Sequence, residues 1–382
     1  MEYRILGRTG LKVGAIALGC EGFADKTAEE VRADFDFAIR NGINFLDLYA
    51  SNPELRSNIG AALAGRREKF VIQGHLCSVW EEGQYLRTRD PEKSLAAFED
   101  MLARLGTDYV EIGMIHYVDA EADLREVLDG PIIRLAQRLR SEGRIRHIGL
   151  SSHNPVVAHM AARTGLIDVL MFSVNPCYDL LPPSDDVDTL WADESYAREL
   201  HNIDPERQRL YEFCEREGIA IDVMKAYGGG DLLSDANSPF GRPMTPVQCL
   251  EYALTRPGVA AVMAGCRSRA EIEAALAWCS ATAAERDYTG ALAGLDKFSW
   301  EGHCMYCGHC APCSVGIDIA SVNKYYNLTL AQHEIPETVR EHYRLLPHHA
   351  SECIACGRCE RNCPFGVDII GHMRLAAAKF GY

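Results

Sequence analysis

The sequence predicts an α/β protein: a (β/α)8 TIM barrel followed by a small, mainly α-helical domain. Eight short apolar runs recur along residues 1–280, and each is followed by helical spacing or a helix-start signal. No GxGxxG motif follows the first run, which argues against the alternative, a doubly wound open sheet. The predicted strands are Ala15–Gly19, Asn44–Tyr49, Phe70–His75, Tyr109–His116, His147–Ser152, Asp168–Asn175, Ala220–Tyr227 and Ala260–Gly265.

Proline and glycine mark the predicted helix boundaries. Asp90-Pro91 and Thr245-Pro246 each place a capping residue before a proline in the first helical turn. Glycines stand where helices should stop, at Gly42, Gly106, Gly143, Gly165, Gly218 and Gly258. Eight such units in about 270 residues have the size of a TIM barrel, whose active site forms at the C-terminal ends of the strands.

The composition restricts the classes of function. The chain has 382 residues, 47% of them hydrophobic, and a net charge of −15, which argues against nucleic acid as a partner. No apolar run reaches the length of a membrane span, and residues 1–14 lack the apolar core of a secretory signal. Together with fifteen cysteines, this predicts a protein of the reducing cytoplasm without a membrane partner.

Two departures from the regular β/α pattern divide the chain. A long acidic segment, residues 176–203, follows the sixth strand on the face where barrel active sites form, and it is interpreted as a lid. The pattern then changes near residues 281–303. We place the barrel at residues 1–285 and the cysteine-rich domain at 286–382, with helical stretches such as Ile335–Leu345 and His372–Lys379.

The cysteine-rich domain contains eight cysteines in two tight runs: Cys304, Cys307, Cys310 and Cys313, then Cys353, Cys356, Cys359 and Cys363. The second run ends in C-x3-C-P, the spacing of bacterial ferredoxins, in which the fourth cysteine ligates the other cluster. Zinc is the rival, since paired C-x2-C also binds zinc. Three cysteines at successive x2 spacing followed by Cys-Pro fit a cubane better, and the absence of a secretory signal disfavours disulfides.

The runs therefore predict two [4Fe–4S] clusters with crossed ligation. Cys304, Cys307, Cys310 and Cys363 are assigned to one cluster, and Cys353, Cys356, Cys359 and Cys313 to the other. The first run departs from the usual spacing, because two residues precede Cys313 and Ser314 stands where proline is usual.

The barrel resembles the aldo/keto reductase superfamily, in particular members with a C-terminal ferredoxin-like domain. The matching segments are YRILGRTGLKVGAIALG at 3–19, GINFLDLY at 42–49, LGTDYVEIGMIHYVD at 105–119, EGRIRHIGLSSHN at 142–154, IAIDVMKAYGGG at 219–230, RPGVAAVMAGCRS at 256–268 and both cysteine runs. The resemblance implies a catalytic Asp, Tyr, Lys and His. Asp47 matches the Asp and His116 the His, but Asn52 replaces the Tyr and His75 the Lys.

A rebuilt catalytic group is the interpretation of these replacements. Asparagine cannot act as a general acid at neutral pH. Tyr49 shares the strand face of Asp47, and His75 and His116 end adjacent strands, so all four side chains are expected near the barrel mouth. Histidine suits proton transfer near pH 7. The alternative is that these strand-end residues are structural.

The resemblance also implies a site for NAD(P)H that is partly present. Gly265, Arg267, Ser268 and Arg269 begin the eighth helix, and such an N-terminus with guanidinium groups suits a phosphate. Ser151, Ser152 and Ser173 correspond to the residues that hold the nicotinamide carboxamide, and Lys225 shapes the cofactor site. Ala275 replaces a common Asn, so the alternative is a retained scaffold with a decayed nucleotide site.

Two hypotheses about function follow from this combination. The first is an iron–sulfur oxidoreductase that acts on a small carbonyl or hydroxyl substrate, with electrons from NAD(P)H, from the clusters or from both. The second is a barrel that has lost nicotinamide chemistry and runs cluster-fed single-electron chemistry or a non-redox lyase or isomerase reaction. A non-catalytic relay subunit is a weaker third hypothesis, and an electron-donor or acceptor protein is an expected partner.

Overall fold

The computed structural model describes residues 1–293, 295, 297–330, 335 and 337–382. Eight parallel strands form a closed barrel in chain order, because the last strand pairs with the first from Val262–Ile16 to Gly265–Gly19. The strands are β1 Ile16–Gly19, β2 Phe45–Leu48, β3 Val71–Leu76, β4 Val110–Ile115, β5 Ile145–Ser152, β6 Val169–Ser173, β7 Ala220–Met224 and β8 Val259–Gly265. The predicted (β/α)8 fold is confirmed.

Helices surround the barrel and continue into the C-terminal domain. Asp90 caps α3 by accepting hydrogen bonds from the backbone of Glu92 and Lys93, and Thr245 caps α8, as the Asp-Pro and Thr-Pro pairs predict. The helices are α1 Ala28–Arg40, α2 Pro53–Leu63, α3 Pro91–Leu105, α4 Glu121–Asp129, α5 Pro131–Ser141, α6 Pro155–Arg163, α7 Pro205–Glu217, α8 Pro246–Leu254, α9 Arg269–Leu276, α10 Ala283–Arg286, α11 Thr289–Leu292, α12 Ile319–Leu328, α13 Glu337–Arg344, α14 Arg358–Asn362 and α15 Ile369–Phe380.

An apolar group fills much of the barrel interior, which is closed at its N-terminal end. A hairpin of Tyr3–Ile5 and Lys12–Gly14 covers this end, and its flanking residues Leu6 and Val13 join the buried group inside the barrel, with Phe45 and Met171 among the strand residues. A second, larger apolar group fills the space between strands and helices. Because the N-terminal end is closed, the opposite end is the one available for a site.

The segment 176–203 is a compact insertion tied to the rest of the molecule. Leu200–His201 pairs in parallel with Phe298–Ser299, which leads into the cysteine-rich domain. At its other end Asp179 is completely buried and accepts hydrogen bonds from the hydroxyls of Tyr211 and Tyr252, on α7 and α8. The insertion is therefore fastened to the outer helices and to the linker, and its role as a lid stays a prediction.

The C-terminal domain packs on the outer side of the barrel at α7 and α8. Lys324 on α12 forms a 2.7 Å ion pair with Glu215 on α7. The predicted boundary between residues 285 and 286 falls within the short helix α10 and stays a prediction. The predicted helix Ile335–Leu345 corresponds to α13, with residue 336 outside the described residues, and His372–Lys379 lies within α15. Across the described ranges, no helix combines the length and apolarity needed to cross a membrane.

Candidate active site

Four side chains singled out in the sequence converge at the C-terminal mouth of the barrel. Asp47 comes from β2, His75 from β3, and Tyr49 and His116 directly follow β2 and β4. Asp47 and His75 are each 2% exposed. The Tyr49 ring lies nearly parallel to the His116 ring, with centroids 5.5 Å apart and an interplanar angle of 3°. Neighbouring strand ends thus bring the four residues into one group.

A continuous line of hydrogen bonds connects this group to the surface. His75 Nε2 lies 2.8 Å from Asp47 Oδ1, and His75 Nδ1 lies 2.7 Å from His116 Nδ1. His116 Nε2 lies 2.7 Å from the hydroxyl of Tyr85, a residue that is 37% exposed. We call Tyr85, His116, His75 and Asp47 the mouth relay.

The partners determine the protonation of the mouth relay. The ring nitrogen that faces a carboxylate carries the hydrogen, so His75 donates from Nε2 to Asp47 and, when neutral, accepts at Nδ1. His116 then donates from Nδ1 and accepts at Nε2 from the Tyr85 hydroxyl. Burial, followed by the neighbouring His75 ring, lowers the pKa of His116 well below its usual value, and the neutral ring is what this arrangement requires.

Tyr85 was missed by the sequence analysis because it lies on an unpredicted hairpin. Strands Ser78–Glu81 and Gln84–Arg87 follow β3 and pair antiparallel, and the turn between them uses left-handed conformations at Glu82 and Gly83, with φ of 51° and 77°. Such a turn matches the twist of a two-residue hairpin. The signal was a Glu-Gly pair between short stretches that contain Trp80 and Tyr85, and it is weak because the Gln84–Arg87 strand is exposed.

Asn52, at the position of the family tyrosine, has a structural role. Its side chain accepts a 3.0 Å hydrogen bond from the backbone of Leu55 and caps α2. Asparagine is among the residues that stabilise a helix N-terminus most. The side chain at position 52 is therefore engaged by the helix N-terminus rather than by the four residues at the mouth.

A polar layer lies beneath the relay inside the barrel. One amide nitrogen of Gln73 donates to Asp47 Oδ1 at 2.9 Å and to Asp222 Oδ2 at 3.0 Å. Burial, and secondly the charge of Asp47, raises the pKa of Asp222 well above its usual value. The protonated Asp222 carboxyl avoids a second buried negative charge beside Asp47. Gln73 and Asp222 were not predicted from the sequence, because each lies within a strand that was identified only by its apolar residues.

Backbone strain accumulates around the mouth. Three residues with side chains that disfavour the left-handed region adopt it directly beyond the strands: Cys77 with φ 68°, Tyr117 with φ 52° and Lys225 with φ 62°. Such conformations cost of order 1–3 kcal/mol each and cluster at functional sites. They follow β3, β4 and β7, the strands that supply the relay and the layer beneath it.

Tyr49 contributes packing and an aromatic wall rather than a link in the relay. Its ring packs edge-on to Tyr85, with centroids 6.2 Å apart. Burial, followed by the nearby Glu21 carboxylate, raises the pKa of the Tyr49 phenol. The phenol therefore stays protonated at neutral pH beside the relay.

The residues expected to bind NAD(P)H do not all face one common site. The side chain of Ser268 and the carboxylate of Glu271 cap the N-terminus of α9, and Arg267 donates its backbone N–H to Glu271 at 2.7 Å. Arg269 turns to α1, where it donates to the carbonyl of Ala33 at 2.9 Å. The Glu271 carboxylate thus occupies the backbone N–H of Arg267, and the Ser268 hydroxyl occupies that of Glu271, two donors that a phosphate would use.

The remaining nominated residues differ in their availability. Ser152 donates to Asp119 at 2.9 Å, and Ser151 accepts from the backbone of Tyr117 at 2.8 Å. The hydroxyl of Ser173 is buried without a hydrogen-bond partner among the described residues. Lys225 and Gly265 are exposed. Arg267 is also exposed, whereas Ser173 is completely buried.

The eight cysteines line two separate cavities in the C-terminal domain. The first cavity, of about 320 Å³ including open space, is lined by Cys304, Cys307, Cys310 and Cys363. The second, of about 360 Å³ by the same measure, is lined by Cys313, Cys353, Cys356 and Cys359. Each cavity thus combines cysteines from both runs, and the assignment of these cysteines as cluster ligands stays a prediction.

Comparisons with known proteins agree with both parts of the molecule. The Aldo/keto reductase family matches residues 11–246, and a 4Fe-4S dicluster domain matches residues 303–368. The barrel superposes on an aldo-keto reductase from Bacillus halodurans in its holo form with a TM-score of 0.58 and 24% identity, over 75% of this chain and 94% of that one. At 24% identity, this structural similarity establishes the fold of the barrel alone.

Curated relatives match part of the barrel. An uncharacterised oxidoreductase of Bacillus subtilis, YqkF, is 28% identical over 179 residues, which is 45% of this chain and 56% of that protein. L-glyceraldehyde 3-phosphate reductase of Escherichia coli is 30% identical over 165 residues, 41% of this chain and 46% of that protein. The chain thus spans about half the length of these relatives. Because the family match covers most of the chain, the protein belongs to the aldo/keto reductase family, with a C-terminal match to a 4Fe-4S dicluster domain.

Proposed function

We propose that the protein interconverts a small carbonyl compound and its alcohol at the barrel mouth, with single electrons passing through two [4Fe–4S] clusters. The observation that carries this proposal is the mouth relay, which leads from the exposed Tyr85 to the buried Asp47. Reduction of a carbonyl consumes two electrons and two protons: the clusters pass the electrons one at a time, the relay supplies the proton that ends on oxygen, and water supplies the proton that ends on carbon. In the reverse direction, Tyr85 accepts the alcohol proton while its own proton moves inward.

The cysteine arrangement fits a cluster better than a single ion. Within the described parts of the chain, no three Cys, His, Asp or Glu side chains converge closely enough to hold one metal ion, whereas four cysteines surround each cavity. A zinc site requires four ligands at one point. Bound cubanes supply one-electron transfer. Cys304, Cys307, Cys310 and Cys363 are the proposed ligands of the first, and Cys313, Cys353, Cys356 and Cys359 of the second.

Metal content tests this part of the proposal directly. Protein purified without oxygen should be brown and contain about eight iron atoms, four for each cubane. Cys356→Ser should alter the spectrum of one cluster, and Cys307→Ser that of the other. A colourless zinc protein, or full occupancy with four iron atoms, contradicts the two-cluster proposal.

A nicotinamide cofactor remains an alternative electron source. The family match supports it, but Glu271 at the α9 N-terminus and the turned-away Arg269 favour a barrel that has lost nicotinamide binding. Calorimetry with NADPH on the anaerobic protein separates the two, with Glu271→Gln as the matched variant. We expect no binding by the wild type, and micromolar binding by the wild type overturns this choice.

An electron-carrier protein is the proposed partner of the second cavity. Cys356 is exposed, whereas the other seven ligands are partly or fully buried, and the adjacent Ile354 is 62% exposed. Arg358 and Arg361 flank these residues and are exposed on an otherwise acidic chain. This combination suits an acidic carrier.

A substrate screen tests the proposed chemistry itself. Small aldehydes, ketones and the corresponding alcohols should be assayed with the cluster-loaded protein and a one-electron dye. His75→Ala should lower turnover about a hundredfold, the usual scale for a proton-transfer group. The double variant Asn52→Tyr/His75→Lys restores the family residues. If it raises NADPH-dependent carbonyl reduction and leaves the native reaction intact, the rebuilt relay is not the catalytic centre.

A further inference from the structure

A buried arginine contacts the loop that carries the first cysteine run. Arg256 lies between α8 and β8 and is 2% exposed. Its Nη2 donates to the carbonyl oxygen of Met305, the residue that follows Cys304. Tyr288 donates its hydroxyl to the same oxygen at 2.6 Å. The guanidinium also lies over the ring of Tyr306, 5.4 Å from its centroid. A cation thus sits directly behind the first cavity.

This cation has no carboxylate partner among the described residues. Its other hydrogen bonds go to the backbone of Tyr252 at 3.2 Å and to neutral hydroxyls of Thr255 and Tyr288, at 3.1 and 3.2 Å. Its Nη1 is buried without a partner in the described structure. Asp179, on the far side of Tyr252, is paired with Arg207 at 3.5 Å instead. Burying an unpaired charge costs several kcal/mol, so an anion is expected nearby.

We propose that Arg256 is the buried counter-charge of the first cluster and raises the reduction potential of that cluster. The inference rests on the proposed clusters and adds a role for a residue outside the cysteine runs. Thiolate-ligated cubanes are anionic, and taking up one electron adds a further negative charge. Burial disfavours that charge, and Arg256 offsets the penalty.

Among the residues that the structure describes, none supplies an equivalent buried cation to the lining of the second cavity. Arg358, which lines it, is exposed, so water and salt screen its charge. Cys356 and Ile354 also open this cavity to solvent. The effect of Arg256 is therefore confined to the first cluster, which makes the second an internal reference in the same molecule.

Redox titration followed by electron paramagnetic resonance tests the proposal. Arg256→Gln should lower the reduced-to-oxidised ratio of the first cluster about tenfold at a fixed potential, a shift of about 59 mV for one electron. Arg256→Lys should stay close to the wild type, because it keeps the charge. The reduction potential of the second cluster should be unchanged in both variants. Cys356→Ser assigns the second cluster's signal.

Two further variants keep the test decisive. Arg56→Gln removes another buried guanidinium, which donates to the carbonyls of Ala50 and Ala97 on the other side of the barrel, and should move neither potential. Tyr288→Phe removes the second hydrogen-bond donor to the Met305 carbonyl. It should lower the reduced-to-oxidised ratio of the first cluster about threefold at a fixed potential and leave that of the second cluster unchanged. If Arg256→Gln fails to fold, Tyr288→Phe decides.

The possible failures are distinguishable. Wild-type protein without about eight iron atoms contradicts the cluster proposal itself. Full iron content with unchanged potentials in Arg256→Gln and Tyr288→Phe overturns the role of Arg256 while leaving the clusters in place. Equal shifts of both clusters also overturn it, because they indicate a general change in the fold.

Discussion

The outer residue of the mouth relay is a tyrosine that replaces, from a different element, the tyrosine missing at position 52. Tyr85 bonds His116 Nε2 at 2.7 Å, and its hydroxyl is the relay atom nearest to solvent. Burial raises its pKa, so it is protonated at neutral pH. Under the proposed function, Tyr85 is the proton donor at the mouth, supplied by the hairpin after β3 rather than by position 52.

Removing the Tyr85 hydroxyl tests the outer end of the relay. We expect Tyr85→Phe to lower kcat about a hundredfold, because the ring remains while the proton-transfer atom is lost. Tyr117→Phe is the matched control: it is a neighbouring aromatic that packs on His153, with centroids 5.4 Å apart, outside the relay. Steady-state kinetics on the substrate found by screening measures both. Equal losses in the two variants contradict the relay.

The neutral state of His116 has a consequence for pH. The ring of His116 titrates near 6.5 when unfolded, but burial and His75 lower its pKa in the folded protein. Above about pH 6.5 neither state binds the proton. Below pH 6.5 the unfolded chain binds a proton on this ring that the folded protein does not bind. The free energy of unfolding therefore decreases as the pH decreases, by up to about 1.4 kcal/mol per pH unit.

Urea unfolding of the wild type and His116→Gln measures this effect. Between pH 6.5 and pH 5.5, the free energy of unfolding of the wild type should fall more steeply than that of the variant. His201→Gln removes a histidine whose side chain is 61% exposed, and this control should run parallel to the wild type. If His116→Gln also runs parallel, His116 is not held neutral by the fold.

At the scale of elements, Asn52 shows how a lost catalytic position serves a helix. We expect Asn52→Ala to lower the free energy of unfolding by about 1 kcal/mol, because the backbone N–H of Leu55 loses its partner. Asn52→Asp should retain stability. Turnover should change little in both variants. Chemical denaturation beside kinetics measures the two effects, and a hundredfold loss of turnover in Asn52→Ala places catalysis back at this position.

The acidic insertion depends on one buried carboxylate. Asp179→Ala leaves the hydroxyls of Tyr211 and Tyr252 and the guanidinium of Arg207 without their partner. We expect a loss of about 3–5 kcal/mol in the free energy of unfolding and faster proteolysis within residues 181–199. Asp186→Ala, at an exposed cap of a 3-10 turn, is the control. Unchanged proteolysis in Asp179→Ala contradicts this anchor.

At the scale of the whole molecule, the two parts differ in what stabilises them. The barrel has one apolar group inside its strands and a larger apolar core between its strands and helices. The C-terminal domain, by contrast, is organised around the two cysteine-lined cavities. We expect an iron chelator under reducing conditions to unfold residues 303–368 while the barrel stays folded. Circular dichroism should show a partial loss of helix, followed by a separate thermal transition. Loss of all structure in one step contradicts this independence.

The sequence by itself determined the barrel, and it predicted which cysteines would ligate the proposed clusters. Strand periodicity, capping pairs and glycine stops are local signals, and they located all eight strands to within a few residues. The cysteine spacing also located the two runs. Such patterns are readable because each depends on neighbours a few positions away in the chain.

Only the tertiary structure decided which polar groups meet. Tyr85 reaches His116 across 31 positions of sequence, and Gln73 reaches Asp222 across 149. Arg256 is separated from Met305 by 49 positions, and it lies just beyond the end of α8, where no sequence pattern marks it. Local patterns cannot reveal these contacts, because barrel closure and the docking of the C-terminal domain create them. Burial then alters their chemistry, protonating Asp222, keeping His116 neutral and leaving Arg256 an unpaired cation.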